Sequence, residues 1–593
     1  MIVFIEMSLS LIRLSAAMLL CALGATANQT VDWWESATLY QIYPRSFMDS
    51  DGDGVGDLNG ITSRLSYLKE IGATATWISP IYDSPMADMG YDVRNFTKIS
   101  SIFGTMEDFD NLLAKAHELG LKVILDFVPN HSSDECEWFQ KSVRREDGYD
   151  DWYVWDDGKI DPETGERSPP SNWRAVFGGS AWTWVEERQQ YYLHQFLPQQ
   201  VDLNYTNPAV RERMKEMMKF WLDRGVDGFR MDATNFLIEK RFDNGTFPDN
   251  PVKAGTVNTL AGTYTIDQWG STEIIYEWRA FLDEYQKLNG GDTRAMIIEA
   301  YSPVDVLSNY ISNGTNVGGQ LPMNFNFVKL DENSNAETVE TQVSAWMDVI
   351  WAKHKMANWV ANNHDNSRLP TRMGQTKTDA MTMIIHGLPG TSVTYYGEEI
   401  GMPDYSLACT GDDCGFRDPE RTPMQWDSSK NAGFSTGNST WLAVNPNYKE
   451  LNVEVQDGVT RSSLRIFKGM TALKKTAAFK AFKEKDAFSY KALSEHVFQV
   501  VRTAVGQEEY RVLANLGNQT EHFDGLSDKK MKYVLLNSYS PHSYGHKVDL
   551  SGRISLKPYE AVVLGWSKDK SCTKTKKVKH VGHVKKGRKL RHH

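Results

Sequence analysis

Eight short apolar runs alternate with stretches of helical periodicity between residues 39 and 395. The runs lie over Leu39 to Tyr43, Ala75 to Ile78, Val123 to Phe127, Gly228 to Arg230, Ala295 to Ile298, Asn324 to Phe327, Asn358 to Val360 and Ser392 to Tyr395. Between them, Phe109, Leu112, Leu113, Ala116 and Leu119 recur mostly three or four apart, as do Val210, Met214, Met217 and Trp221 before Gly225. That spacing lines one face of a helix, and glycine ends it. Strands that alternate with helices pair in parallel. Eight such units favour closure into a barrel over an open sheet.

The chain has 593 residues, more than one ordinary core accommodates. Residues 131–205 separate the third and fourth runs with Pro169-Pro170, many tryptophans and little periodicity. A simple crossover is far shorter, so this segment reads as an inserted subdomain above the C-terminal face of the barrel strands. Near residue 486 the pattern changes to short alternating runs, His496 to Arg502 and Tyr510 to Leu516, which predict antiparallel strands. The expected fold is an α/β protein: a (β/α)8 TIM barrel over 31–130 and 206–485, the insertion after the third strand, and a C-terminal antiparallel β-sandwich over 486–567.

Both ends read differently. Arg13, the apolar run from Leu14 to Leu23 and Ala25-Thr26-Ala27 have the layout of a cleavable secretory signal over 1–27. The run is short for a membrane span, and no later stretch of about 20 apolar residues follows. The formal net charge is −11, yet residues 568–593 carry +10, which leaves −21 on the rest. So basic and apolar-poor a tail cannot fold alone. It reads as a solvated terminus, with contact to anionic surfaces as the sharper alternative. No nucleic-acid partner is expected.

The segment Gly225-Val226-Asp227-Gly228-Phe229-Arg230-Met231-Asp232 carries the chemistry. Arg230 and Asp232 are two residues apart and so share one side of a strand. A guanidinium there holds a carboxylate ionised and oriented. Glu299 ends the fifth run and Asp365 the seventh, so three carboxylates converge on one rim. Close carboxylates repel, and one tends to keep a proton. Glycoside hydrolysis needs that inequality: one ionised group at the anomeric carbon and one acid at the leaving oxygen. Metal binding and a salt-bridged structure are the competing readings. Alkaline-earth ions want six or more oxygens, and no dense ligand set surrounds these three.

With Asp126-Phe127-Val128-Pro129-Asn130-His131, Gly228-Phe229-Arg230-Met231-Asp232, Glu299 and Asn362-Asn363-His364-Asp365 in this order, the chain resembles the α-amylase family of glycoside hydrolases over about residues 33–567. The resemblance implies Asp232 as nucleophile, Glu299 as acid/base, Asp365 as the transition-state stabiliser, and His131, Arg230 and His364 as sugar contacts. Gly90-Tyr91-Asp92 resembles the segment whose aspartate binds the terminal glucose, which nominates Asp92; a helix cap is its alternative. Gln200-Val201-Asp202-Leu203-Asn204 and Arg421-Thr422-Pro423-Met424-Gln425-Trp426 resemble the oligo-1,6-glucosidase and maltase branch, with Val201 where most relatives have proline. Arg421 is thereby expected to close the pocket. The run from Glu35 to Phe47 is most similar to insect maltases, which implies release of glucose from non-reducing ends of α-glucosides by a protein secreted into gut or saliva. Ala233 resembles the small residue of α-1,4-preferring relatives. Sucrase, oligo-1,6-glucosidase and α-amylase activities remain alternatives. Inactive, membrane-anchored transporter subunits are the remote one.

Asp49, Asp51, Asp53 and Asp57 stand at positions 1, 3, 5 and 9 of a loop with glycine at 6, resembling the start of a calcium loop. Position 12 is Gly60, so an EF-hand is not expected. Relatives imply one structural Ca²⁺ held with help from the Val55 carbonyl; an acidic surface turn is the blander reading. No organic cofactor is expected. Sequons begin at Asn28, Asn95, Asn130, Asn204, Asn244, Asn313, Asn438 and Asn518. Asn130 and Asn204, beside site segments, are expected to stay unmodified. Cys409 and Cys414 enclose a short loop that a disulfide can tighten, and Cys136 and Cys572 are left over.

Overall fold

The computed structural model describes residues 31–251, 262–353, 355–409, 415–482 and 486–568. Eight parallel strands form its centre: β1 (Thr38–Ile42), β2 (Ala75–Ile78), β3 (Lys122–Phe127), β4 (Gly228–Met231), β5 (Ala295–Ile298), β6 (Leu321–Pro322), β7 (Asn358–Val360) and β8 (Thr391–Tyr395). They pair in the order β6-β5-β4-β3-β2-β1-β8-β7, so neighbours in sequence are neighbours in space. One seam, between β6 and β7, has no backbone ladder. There the Asn358 side chain bridges the strands: its Nδ2 donates to Pro322 O at 2.6 Å and its Oδ1 accepts from Asn324 N at 2.8 Å. The result is a nearly closed TIM barrel.

Strand side chains alternate between two cores. Leu39, Trp77, Ile124, Ile297, Val360 and Val393 fill the barrel interior. Tyr40, Ile78, Leu125, Phe229 and Ile298 belong instead to the layer between strands and helices. In that layer α1 (Leu58–Ile71), α2 (Met106–Glu118) and α3 (Pro208–Asp223) bury the predicted stripes, with Met218 taking the inward place expected for Met217.

The sixth strand departs from expectation. Asn324 to Phe327 is not extended; Phe325–Lys329 is a 3₁₀ turn, and the strand lies just before it. The Asn324 side chain accepts from Asn326 N at 3.1 Å and caps that turn. A short polar side chain that bonds nearby backbone competes with a ladder.

Within the insertion, Trp155–Asp156, Trp182–Val185 and Gln190–Leu193 make a three-stranded sheet. Its small core includes Val154, Trp173, Trp182 and Leu193, closed by Phe247 from the loop after β4. His131–Ser133 pairs antiparallel with Gln200–Asp202, placing Asp202 opposite His131, so the chain leaves and re-enters the barrel rim side by side. Beyond the barrel, six antiparallel strands starting at Phe488–Ala492 form a sheet, and a separate pair, Glu521–Asp524 with Arg553–Leu556, completes the C-terminal layers. One face packs on the helix Gln375–Gly387. A Cβ on Gly387 would stand 3.0 Å from Val512 Cγ2, so the missing side chain permits the close approach.

The expected signal, Cys414, Cys572, Asn28 and nearly all of the basic tail lie outside the described residues. Cys409 is disulfide-bonded, and Cys136 is a buried free thiol. Asn130 and Asn204 are buried, with amides donating to Asp202 Oδ1 and Asp151 O, whereas Asn95, Asn244, Asn313, Asn438 and Asn518 are exposed. Among the described residues, no helix is long and apolar enough to cross a membrane.

Candidate active site

Arg230 is the hub of the rim. It lies in β4, is 1% exposed, and its guanidinium stacks 4.8 Å from the Trp77 ring inside the barrel. Nη1 meets Asp126 Oδ1 at 2.9 Å and Asp232 Oδ1 at 2.5 Å, while Nη2 meets Glu299 Oε1 at 2.5 Å. Asp126 is held from behind by Tyr91 Oη at 2.9 Å and Trp77 Nε1 at 3.1 Å. One cation therefore spaces three acids delivered by β3, β4 and β5. Removing it would leave buried charges unpaired.

The chain turns sharply after Asp232. Ala233 takes a left-handed conformation, φ 47° and ψ 37°, which a residue with a Cβ adopts at a cost. That turn aims Ala233 N at Glu299 Oε2, 2.9 Å away, so the fifth-strand acid is fixed at both oxygens.

Two histidines flank the acids, and both are neutral. Burial lowers His131 to about 4. Burial likewise pushes His364 well below its ordinary value, with Arg421, Arg230 and Arg417 adding to the effect against Asp365. His364 stacks on Tyr91, centroids 5.2 Å apart, and Gln41 Nε2 donates to its Nδ1 at 2.9 Å. The proton then sits on Nε2, facing Asp365 Oδ2 at 3.4 Å. Asp365 also receives Arg417 Nη1 at 2.7 Å and Arg421 Nη2 at 3.0 Å. Burial opposes ionisation of Asp365; its neighbours more than offset that and hold it below the usual carboxylate range. Since His364 is neutral, the two guanidinium groups supply the charge.

Two expected contacts are displaced by four residues each. Asp92 is fully buried and accepts from Ser84 Oγ, Ala87 N and Asp88 N at 2.9 to 3.0 Å. It ties the turn together and does not line the cavity; its neighbour Asp88 does. Arg421 is 3% exposed, donates from Nε to His364 O at 2.6 Å and packs over Tyr43. Arg417 reaches the cavity instead and pairs with both Asp88 and Asp365. Arg230 also lies beneath the cavity lining, so its contact is with the acids.

The cavity holds about 490 Å³. Asp88, His131, Asp232, Glu299, His364, Asp365 and Arg417 give it a charged floor, and Val176, Phe177, Phe196, Phe236, Ile266 and Phe416 an apolar collar. Phe177 from the insertion approaches Phe416 from the loop after β8 at 6.0 Å, and Arg417 lies 5.1 and 5.3 Å from their rings. Sequence reasoning gave no role to Asp88, Arg417 or Tyr301, although each is within four residues of a nominated one.

The acids differ in proton affinity. Burial pushes Asp232 up to about 6, with Arg230 pulling down and Asp126 pushing up. Glu299 rises to about 8, from burial first, against Arg230 and with the charges of Asp232 and Asp365. At neutral pH the pair holds one carboxylate and one acid.

A second acidic cluster precedes α1. Asp49, Asp51 and Asp57 offer carboxylate oxygens that all lie within 4.8 Å of one another, a donor set that can hold a cation. Burial opposes the charge on Asp49, but hydrogen bonds from Ser435, Gly52 and Gly54 keep it below its ordinary value. Asp53 stands apart from this cluster, its Oδ1 accepting from Val55 N at 2.7 Å.

Residues 41–482 match the family model described as the α-amylase catalytic domain. The chain is 57% identical to Maltase A2 of Drosophila melanogaster over 556 residues, 93% of this chain and 98% of that protein. It is 47% identical to a salivary alpha-glucosidase of Aedes aegypti over 476 residues, 77% and 82% of the two chains. The crystal structure of the alpha-glucosyl transfer enzyme XgtA superposes with a TM-score of 0.77 at 30% identity, covering 90% of this chain and 100% of that one.

Proposed function

The chain belongs to the α-amylase family of glycoside hydrolases, and on that premise we propose a retaining, exo-acting α-glucosidase of maltase type as its function. The observation that carries the reading is Arg230 bridging Asp232 and Glu299. Oxygens held 2.5 Å from adjacent nitrogens of one guanidinium leave no room for a water between the acids. That short separation suits direct attack by a carboxylate, and with it retention.

Asp232, ionised, attacks the anomeric carbon while Glu299 passes its proton to the leaving oxygen. The C1–O bond to the leaving sugar breaks and a glucosyl ester to Asp232 forms. Water then enters, Glu299 takes its proton, and α-glucose leaves. Asp365, His131 and His364 bind the hydroxyls of the reacting glucose. The ionised acids suit the positive charge that grows on the ring. The Asp88–Arg417 pair supplies the closure first assigned to Asp92 and Arg421, filling the space beyond the terminal glucose so that a chain enters by its non-reducing end. The acid pair predicts a bell-shaped pH dependence of kcat/KM for maltose. Activity rises as Asp232 ionises near about 6 and falls as Glu299 loses its proton near about 8. A profile without the alkaline limb would remove Glu299 from the acid's role.

Maltose is the expected substrate, ahead of isomaltose, because Ala233 leaves space for the bend of an α-1,4 link. One small side chain separates such rates by about tenfold, so overlap with sucrose and α-1,6 links follows. Initial rates on maltose, isomaltose, sucrose and starch test this; faster hydrolysis of isomaltose or starch would contradict it.

The ion suited to the Asp49, Asp51 and Asp57 cluster is Ca²⁺, with the Val55 carbonyl as a further oxygen; the larger ion accepts irregular, oxygen-rich coordination. It would stiffen the loop ahead of α1, far from the acids in role. Chelation is expected to lower the melting temperature before it lowers turnover. An unchanged melting curve in chelator would count against the ion. The secretory signal and the sequons support an extracellular glycoprotein.

A further inference from the structure

Beside the catalytic pocket lies a second cavity of about 270 Å³, and the two share one wall, Tyr301. Ser302, Pro303, Leu307, Phe325, Asn326 and Lys329 line the rest of it. Tyr301 follows the acid Glu299 by two residues and is 50% exposed, an unusual degree for a ring between two cavities. Its inner face stacks on Phe325, centroids 4.0 Å apart and planes within 5°. Its hydroxyl accepts from Asn363 Nδ2 at 2.7 Å and Asn366 Nδ2 at 2.9 Å. Both acceptor positions being used, the phenolic hydrogen is left to donate outward. The ring is thus rigid, held from behind and from its tip, with one face bare.

We propose that this second cavity binds the third glucose of linear malto-oligosaccharides, with Tyr301 as the platform over which the chain passes. This rests on the α-glucosidase reading. The leaving part of a substrate must exit past Glu299, and Tyr301 is the side chain that joins that exit to an enclosed space. A bare aromatic face suits the apolar face of a pyranose, and the cavity has room for one ring. On its far side stands Lys329, exposed and, among the described residues, without an ion pair or hydrogen bond to another side chain. An ammonium has three donors and no acceptor capacity, a match for sugar hydroxyls. The cavity therefore distinguishes a trisaccharide from a disaccharide without touching the bond that is cut.

The test is the chain-length profile of kcat/KM on maltose, maltotriose and maltotetraose, in the wild type and in Lys329→Ala and Lys329→Trp. Lys329 is exposed, so both variants are expected to fold, and neither change reaches the acids. The wild type should favour maltotriose over maltose, with little further gain for maltotetraose. Lys329→Ala should reduce the maltotriose value by about fivefold, the scale of one lost hydrogen bond, and Lys329→Trp, which fills the cavity, by more. The maltose value should stay within about twofold in both, since no hydrogen bond to maltose is removed. Loss of the maltotriose advantage through KM would confirm a binding subsite. If the wild type shows no advantage for maltotriose, or Lys329→Trp retains it, the proposal is overturned while maltose hydrolysis still stands. A wild type that fails on every α-glucoside would instead overturn the underlying function.

Discussion

Asp232→Asn is expected to lower turnover of maltose by about 10⁴-fold or more while the protein stays folded. The substitution keeps size and shape and removes the charge that attacks. Arg230 retains Asp126 and Glu299 as partners, so no buried cation is left alone. A second consequence follows from the shared field. The charge of Asp232 is one of the causes that raise Glu299, so its loss should lower the proton affinity of Glu299 and move any residual alkaline limb to lower pH. Thermal melting should verify the fold, and kcat on maltose the chemistry. Near-normal turnover by a folded variant would remove Asp232 from the nucleophile's place.

Glu299→Gln should lower maltose turnover by about 10²- to 10⁴-fold, the usual contribution of a positioned acid or base. The loss should depend on the leaving group. A nitrophenyl α-glucoside needs little protonation, so the glucosyl ester should still form. Its hydrolysis lacks a base, so a burst of nitrophenol followed by a slow steady rate is expected. Equal losses on maltose and the aryl glucoside, with no burst, would show that Glu299 acts on something other than the leaving oxygen and water.

The acids were legible because strand geometry constrains them. Arg230 and Asp232 sit at a strand end where the period of two fixes their side, and β4 and β5 run in register from Gly228 opposite Ala295 to Met231 opposite Ile298. Their convergence followed from the order of units. Asp88 and Arg417 were not legible, because loops have no such period. The turn around Asp88 passes through left-handed residues, with φ 70° at Met86 and 51° at Met89, and the following Gly90 at 111°. Only this path decides that Asp92 points into the turn and Asp88 into the cavity. In the same way Arg417 and Arg421 flank a short 3₁₀ turn, Asp418–Arg421, and the sequence offers two arginines with no sign of which is buried. The sixth strand was misplaced for a related reason: Asn324 and Asn358 replace backbone pairing at the seam by side-chain hydrogen bonds, which hydrophobic patterning cannot register.

Proton NMR of the first glucose released from maltose tests the central claim, because it reads the outcome of two displacements at one carbon. Attack by Asp232 inverts the anomeric centre, and attack by water, assisted by Glu299, inverts it again. The account predicts that α-glucose appears first and that the β anomer grows only at the rate of spontaneous mutarotation. An initial excess of β-glucose would mean a single displacement by water, and would contradict the reading of Arg230 as the clamp on an attacking carboxylate and its acid partner.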